Sequence, residues 1–487
     1  MAYRTGVKRS QMILFPESLD EYVGPEDPVR AYDYIIGTLD LQEIGIETDE
    51  KKVGNPQYPP RTMLKLYVYG YACGIRSSRQ LERATHQNLS FIWLMENLKP
   101  DHKTIAEFRR KHKLALIQAL RKFAFFCLKA GLIEGNTLFV DGTKLRANAG
   151  RCRNHTQEWY QEKYQEVKKR IGEIMTEHER TDQVEEPLGS FVRMETDLSQ
   201  AKKLEAIYAQ AIQEFDRYES SDVKPKVPTI NMTDPECALM KSTQGSHASY
   251  NIQAVVDDKN GLIANVDVVN EVNDRRQFSR QIHGTEEVLG KSCQYACADT
   301  GYSNTEDLRK VQSETTTVIV PFQKEPLRGN VQGFSKSDFP YDAEHDVYQC
   351  PQAHRLSYVY AKEKGKKLVY RITDCRLCHR CPSWGTCTNS KEGRSIVRLL
   401  HETEREQFER QYQTPELQEI YQRRKARVEH PFGHIKQNLK TTYFLIRGRL
   451  GALAEISLAA LCFNIRRILT IFGGTPNFIQ TMKTIWV

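Results

Sequence analysis

The chain has 487 residues, more than one hydrophobic core usually serves, so two or three domains are expected. With 39% hydrophobic and 27% charged residues it is neither a disordered nor a fibrous chain. Its net charge of +8 is modest for this length, and the placement of the basic residues matters more than their sum.

The N-terminus, MAYRTGVKRSQMILFPES, has no continuous apolar run followed by a small-residue cleavage site, so no secretory signal is read and a cytoplasmic location is expected. Residues 1–135 read as mainly helical. Pro59 and Pro60 introduce RTMLKLYVYGYACGI, whose apolar residues fall at helical spacing. SSRQLERATHQNLSFIWLM opens with serines suited to a cap, and PDHKTIAEFRRKHKLALIQALRKFAFFCLKAGL repeats the pattern with a basic polar face. Short helices bearing Arg and Lys suit DNA binding, and they equally suit a packed bundle with a solvated basic surface.

At NTLFVDGTKLRANA, Leu138, Phe139 and Val140 give a short buried-strand signal that Asp141-Gly142 is expected to end. Residues 155–220 are strongly charged and helical, which predicts a solvated helical hairpin. SSDVKPKVPTINMTDPE then reads as a linker returning the chain to the core. YNIQAVVD and LIANVDVVN, separated by DKNG, predict two strands joined by a turn. QYACADTGYS supplies a third short strand with Asp299 near its end.

Residues 330–400 read as loop-rich and carry Cys350, Cys375, Cys378, Cys381 and Cys387, in the order C-x24-C-x2-C-x2-C-x5-C. Paired close cysteines after a return loop fit one structural Zn²⁺. Four of the five suffice: Cys350, Cys375 and Cys378 with Cys387 or Cys381, for which His354 or His379 could substitute. Twelve cysteines without a secretory signal argue against a disulfide scaffold, and the other seven read as small buried residues. From about residue 402 the chain is helical again. Its most apolar stretch, 452–472, is interrupted by Glu455, Arg466 and Arg467, which predicts a buried amphipathic helix and no membrane span.

An order of strand–Asp, hairpin, strand–Asp and helix–Glu emerges from these elements. Three converging carboxylates can hold two divalent cations for in-line phosphoryl displacement, and oxygen ligands suit Mg²⁺ or Mn²⁺. Singly, each acid is weak, because an Asp at a strand end is usually a turn former.

PPRTMLKLYVYGYACGIRSSRQLERATHQNLSFIWL, DHKTIAEFR, FVDGTKLRANA, DPECALMKSTQGSHASYNIQAVVD, ACADTGYSN and VEHPFGHIKQ together resemble the bacterial insertion-sequence transposases with a ribonuclease H-like DDE core. The resemblance runs over nearly the whole chain. It implies an α/β ribonuclease H-like catalytic core with a mainly α-helical N-terminal domain and inserted helical and cysteine-rich segments. The expected divisions are a DNA-binding domain at 1–135, core segments at 136–154 and 229–325, a charged helical insert at 155–228, a cysteine-rich insert at 326–400, and a helical end of the core at 401–487.

The resemblance assigns the catalytic, metal-holding carboxylates to Asp141, Asp299 and Glu429. Lys436, seven positions after Glu429, matches the family's lysine and would contact phosphate near the cut. Tyr421 and Arg424 have the family's mutual spacing but lie one residue further from Glu429 than its pattern asks. Lys425 stands at the i−4 place and is the alternative cation on that face. Pro431 either kinks the helix or starts it just after Glu429.

His247 is a candidate for facing DNA, whereas Asp234, Asn251 and Gln253 read as structural. The implied partners are double-stranded DNA, as terminal inverted repeats and as target, and a homodimer or higher oligomer on that DNA. The basic stretches RRKHK, KLRANAGRCR and QRRKAR suit such a polyanion. A DNA-binding regulator derived from such an element is the alternative reading, which a lost carboxylate would favour. A repair nuclease of the same fold would need neither the N-terminal domain nor the cysteine insert.

Overall fold

The structure, a computed structural model, describes residues 18–47, 57–181, 189–219, 228–242, 245–322, 334–362 and 367–485. Most of the N-terminal segment read for a signal, and residues 220–227 of the expected linker, lie outside the described residues. The protein is mixed α/β with a helical N-terminal region. It divides into two compact units, one of Met1–Asp274, Arg280–Gln294 and Arg423–Val487, the other of Arg275–Ser279 and Tyr295–Gln422.

In the first unit the N-terminal region forms the helices Pro28–Thr38, Pro60–Ala72, Ser78–Gln87, Leu89–Leu94, His102–Lys111 and Lys113–Lys129. Their starts are chemically marked. Asp27 accepts from the Val29 amide at 2.9 Å, and Asp101 from that of Thr104 at 2.8 Å. Ser77 stands at the expected cap of Ser78–Gln87 but makes no side-chain cap bond. Asn88, which accepts from the Ser90 amide at 3.0 Å, starts a separate helix where the sequence read as one run.

The helix Arg449–Ile471 takes up the 452–472 stretch, and sixteen of its residues, from Gly451 to Leu469, are buried. It packs on Pro60–Ala72, on Lys113–Lys129 and on the strand Ile263–Val269. The buried Asn464 is satisfied inside: it both accepts from the Ile263 amide and donates to the Ile263 carbonyl, each at 2.8 Å. No single helix among the described residues is long and apolar enough to cross a membrane.

The sheet of this unit is organised by the long strand Gly245–Asp257. Along one edge it pairs antiparallel with Thr137–Arg146, from Leu138↔Asp257 to Arg146↔Ser249. Along the other it pairs with Ala238–Ser242 and then with Ile263–Val269. The DKNG turn closes the last of these hairpins. Gly261 there has φ +67, a conformation that costs glycine little, and the buried Asp257 carboxylate accepts from the Gly135 and Lys259 amides at 2.7 and 3.1 Å.

Asp141-Gly142 does not end its strand, contrary to the sequence reading. The strand continues five residues further, because Gly142 through Arg146 keep register with Gln253 back to Ser249. Long-range pairing overrides the local turn signal. The charged insert forms the helices Gln157–Thr181 and Gly189–Glu219, packed on each other around Tyr160, Tyr208, Ala211 and Phe215. Its base is tied by the short ladder Asn154↔Asn231 and His155↔Ile230, and by the Tyr160 hydroxyl donating to the Ile230 carbonyl at 3.1 Å.

The second unit differs from the loop-rich reading of 330–400. It contains a five-stranded antiparallel sheet in the order Ser395–Leu399, Lys367–Ile372, Arg355–Lys362, Val347–Gln349 and Tyr341–Asp342. One face packs Phe339, Tyr348, Leu356, Tyr370, Ile372 and Ile396 into a small core. The β-branched and aromatic residues of RLSYVYAK and KLVYRI supply the strand preference. Strands of two to eight residues beside Cys, Pro and Gly hide it. The unit also holds the parallel pair Tyr295–Cys297 and Thr317–Ile319.

Candidate active site

Alternation along Thr137–Arg146 puts Phe139, Asp141 and Thr143 on one face of the sheet. The second half of the helix Pro415–Gln437 lies against that face. Arg424 Nη1 stands 3.8 Å from Asp141 Oδ1, with the two side chains 15% and 20% exposed. Twelve residues on, Lys436 Nζ donates to Thr143 Oγ1 at 2.5 Å. Burial pulls the Lys436 ammonium below its usual range, and the nearby Asp141 charge works in the opposite direction. One carboxylate is therefore flanked by two partly desolvated cations, where charge interactions are worth more than at an open surface.

Glu429 is carried by the same helix and is exposed. At about 3.6 residues per turn, Lys425, Glu429, Phe432 and Lys436 fall along one stripe, so Glu429 sits on the stripe that reaches Thr143. Pro431 neither starts nor ends this helix, which runs unbroken from Pro415 to Gln437. Arg424 is the residue beside Asp141, whereas Lys425 is exposed. The one-residue offset from the family's spacing thus leaves Arg424 on the face that meets the strand.

Asp299 belongs to the second unit. It follows the strand Tyr295–Cys297 by two residues, is half-buried, and caps the short helix Thr300–Tyr302, accepting from the Gly301 amide at 2.8 Å. Tyr421 also lies in that unit, its ring edge-on to Tyr412 at 5.3 Å.

His247 is half-buried on Gly245–Asp257, opposite Met240. Asp234 is buried and accepts from the Tyr250 hydroxyl at 2.8 Å and the Gly448 amide at 3.1 Å, and burial raises its pKa. Asn251 and Gln253 both donate to Asp274 Oδ1 at 2.7 Å. These last three side chains are engaged in holding loops to the sheet.

The sequence reading did not single out Tyr443 and Arg447. With Arg146, Asn148, Thr233 and Thr442 they line an open pocket of ≈ 630 Å³ just past the end of the Asp141 strand. Asn148 anchors one wall by donating to the Leu445 carbonyl at 2.7 Å, and the Phe444 amide donates to the Arg146 carbonyl at 2.9 Å. Arg447 and the Tyr443 ring are exposed there. The only sequence signal was the basic run beginning at Lys144.

Among the described residues no group of three or more His, Cys, Asp or Glu side chains stands arranged to hold a metal. Asp141, Asp299 and Glu429 each offer carboxylate oxygens, a donor type that suits Mg²⁺ or Mn²⁺ in its chemistry.

Residues 17–111 match a family model described as a transposase domain, and residues 349–469 match one described as a transposase DDE domain. The second match includes Glu429 and Lys436; Asp141 and Asp299 lie outside both. No curated protein gives a match. A solved structure, the piggyBac transposase synaptic complex with hairpin DNA, aligns over 95% of this chain and 79% of that one. It does so at 9% identity and a TM-score of 0.29, below the level of a shared fold.

Proposed function

We propose that this chain, which belongs to the insertion-sequence DDE transposases, binds the terminal inverted repeats of a mobile element, cuts them and joins them to target DNA. The observation that carries the reading is Asp141, set on a rigid strand beneath the helix that bears Glu429, with Arg424 and Lys436 beside it. Carboxylates held by regular elements keep their geometry within the tolerance that phosphoryl transfer demands.

Asp141, Asp299 and Glu429 are the residues that would hold Mg²⁺ or Mn²⁺. When bound, the cations supply activation of a water or 3′-hydroxyl and neutralise the leaving oxygen. Lys436 and Arg424 grip the scissile phosphate and its neighbour, with Lys425, Tyr421 and His247 along the DNA path. An antiparallel triplet led by the Asp141 strand, and a parallel pair with Asp299 behind its first strand, are parts suited to a ribonuclease H-like core. The N-terminal helices read the element's ends, and the active form is a dimer or higher oligomer on DNA in the bacterial cytoplasm.

The test is direct. Full-length protein, mixed with a duplex ending in the inverted repeats that flank its gene, is expected to give free 3′-hydroxyl ends and joined products in Mg²⁺. Chelation should stop the reaction, and added Mg²⁺ should restart it. Tight, specific binding without cleavage in either Mg²⁺ or Mn²⁺ would identify a regulator that has kept the fold and lost the chemistry.

The open pocket gives a second, smaller expectation. Arg447→Ala should weaken binding to end and random duplexes alike, and lower the slope of log affinity against log salt by about 1, as loss of one phosphate contact does. A change confined to end sequences would make Arg447 a base reader instead.

A further inference from the structure

The five cysteines of the second unit are not equivalent, and the structure separates four of them from the fifth. Cys350 follows the strand Val347–Gln349 at the hairpin into Arg355–Lys362. Cys378 lies in the short helix Cys375–His379, Cys381 in the turn after it, and Cys387 just beyond Gly385. These four border one cavity of ≈ 30 Å³, together with His354 and Trp384, and Cys375 does not line it.

A second observation concerns the sulfurs as acceptors. Three backbone amides donate to these sulfurs: His354 to Cys350 Sγ at 3.3 Å, Ser383 to Cys381 Sγ at 3.4 Å, and Arg394 to Cys378 Sγ at 3.5 Å. Each of the three sulfurs thus accepts one amide, a bond that is weak to a neutral thiol and stronger to a metal-bound one. Two of the turns that aim them take left-handed backbone: Ala353, just before His354, has φ +60, and Gly393, just before Arg394, φ +79. Arg394 adds a cation whose guanidinium is fixed by the carbonyls of Cys387 at 2.8 Å and Phe334 at 3.1 Å.

We infer that Cys350, Cys378, Cys381 and Cys387 form a structural Zn²⁺ site that staples the hairpins of this sheet and takes no part in phosphoryl transfer. Four soft ligands at about 2.3 Å close a tetrahedron and leave no position for water or substrate. Four thiolates on one dication leave excess negative charge, which Arg394 and the three amides offset. The sulfurs ring the cavity without already standing as a closed ligand group, so side-chain rotation inward completes the site. The sequence alone left the ligand set open and included Cys375; the geometry replaces it with the Cys381 and Cys387 pair.

The inference is independent of the transposition reading, and its experiment reads metal rather than activity. Untagged full-length protein should carry about one tightly held zinc per chain, the ratio a closed four-ligand site requires. Cys375→Ser should retain that zinc, and Cys381→Ser and Cys387→Ser should each lose it, with the loosening of the sheet that accompanies loss of a structural metal. Refolding the wild type with Co²⁺ should give the strong thiolate-to-cobalt absorption of a four-sulfur site. This measurement decides the matter even if a serine variant fails to fold. Wild-type protein that holds no zinc and takes up no Co²⁺ overturns the assignment. So does loss of zinc from Cys375→Ser while Cys381→Ser keeps it, or a disulfide found between any two of the four.

Discussion

Asp141→Ala, Asp299→Ala and Glu429→Ala are each expected to lower end cleavage and strand joining by roughly 10³-fold or more, as loss of one member of a catalytic set that acts as a unit does. Binding of the element's ends should survive, because grip on DNA comes from many dispersed cations rather than from these acids. Asp141→Asn is the sharper form of the experiment. It keeps the size of the side chain beside Arg424 but removes the charge that a hard cation requires. The thermal transition of each variant should stay close to that of the wild type. Asp141 and Asp299 are only partly buried and Glu429 is exposed, and substitutions at such positions rarely cost much stability. Full cleavage by any one variant would remove that residue from the site. Loss of end binding together with cleavage would assign it to positioning DNA instead.

The parts of this site that the sequence made legible are those fixed by local pattern. DKNG between two apolar runs marks the hairpin at 250–270, and polar residues within 452–472 mark a buried helix, because both signals act over a few neighbouring residues. The misread parts were decided over long range. Asp141-Gly142 looks like a strand end until Gly245–Asp257 pairs past it. Lys425 looks better placed than Arg424 until the phase of the helix over the sheet is known. The strands around the cysteines are short, and what makes them a sheet is a common core drawn from residues spread over Phe339 to Ile396. Spacing could group five cysteines, but only the fold shows that Cys350, Cys378, Cys381 and Cys387 border one cavity and that Cys375 does not.

The pairing hardest to foresee joins residues 379 positions apart, and its loss should carry the largest cost in stability. Glu455 is wholly buried in the helix Arg449–Ile471 and accepts from Arg76 Nη2 at 2.9 Å, the Tyr71 hydroxyl at 3.3 Å, and the Leu445 and Ile446 amides at 2.8 and 2.5 Å. Arg76, itself 5% exposed, also donates to the carbonyls of Lys440 and Tyr443 at 2.9 and 2.5 Å. The ion pair therefore holds the segment 440–446 between the connection that joins Pro60–Ala72 to Ser78–Gln87 and the helix Arg449–Ile471. Glu455→Ala strands a guanidinium and two amides in the interior, and a loss of about 3–5 kcal/mol is expected, the usual result of breaking one side of a buried pair. Glu455→Gln keeps the shape and some of the bonds, so its cost should be nearer 1–3 kcal/mol, roughly that of hydrogen bonds to a charged group. Arg76→Met with Glu455→Leu should cost less than the two single changes added together, because the second removes a charge that the first has left unpaired. Denaturant unfolding of the full chain reads all three. The same segment carries Tyr443 on the wall of the open pocket, so the single variants should also bind DNA more weakly below their unfolding transition. If Glu455→Ala costs under about 1 kcal/mol, the range of an exposed pair, then the carboxylate is not the clasp described here.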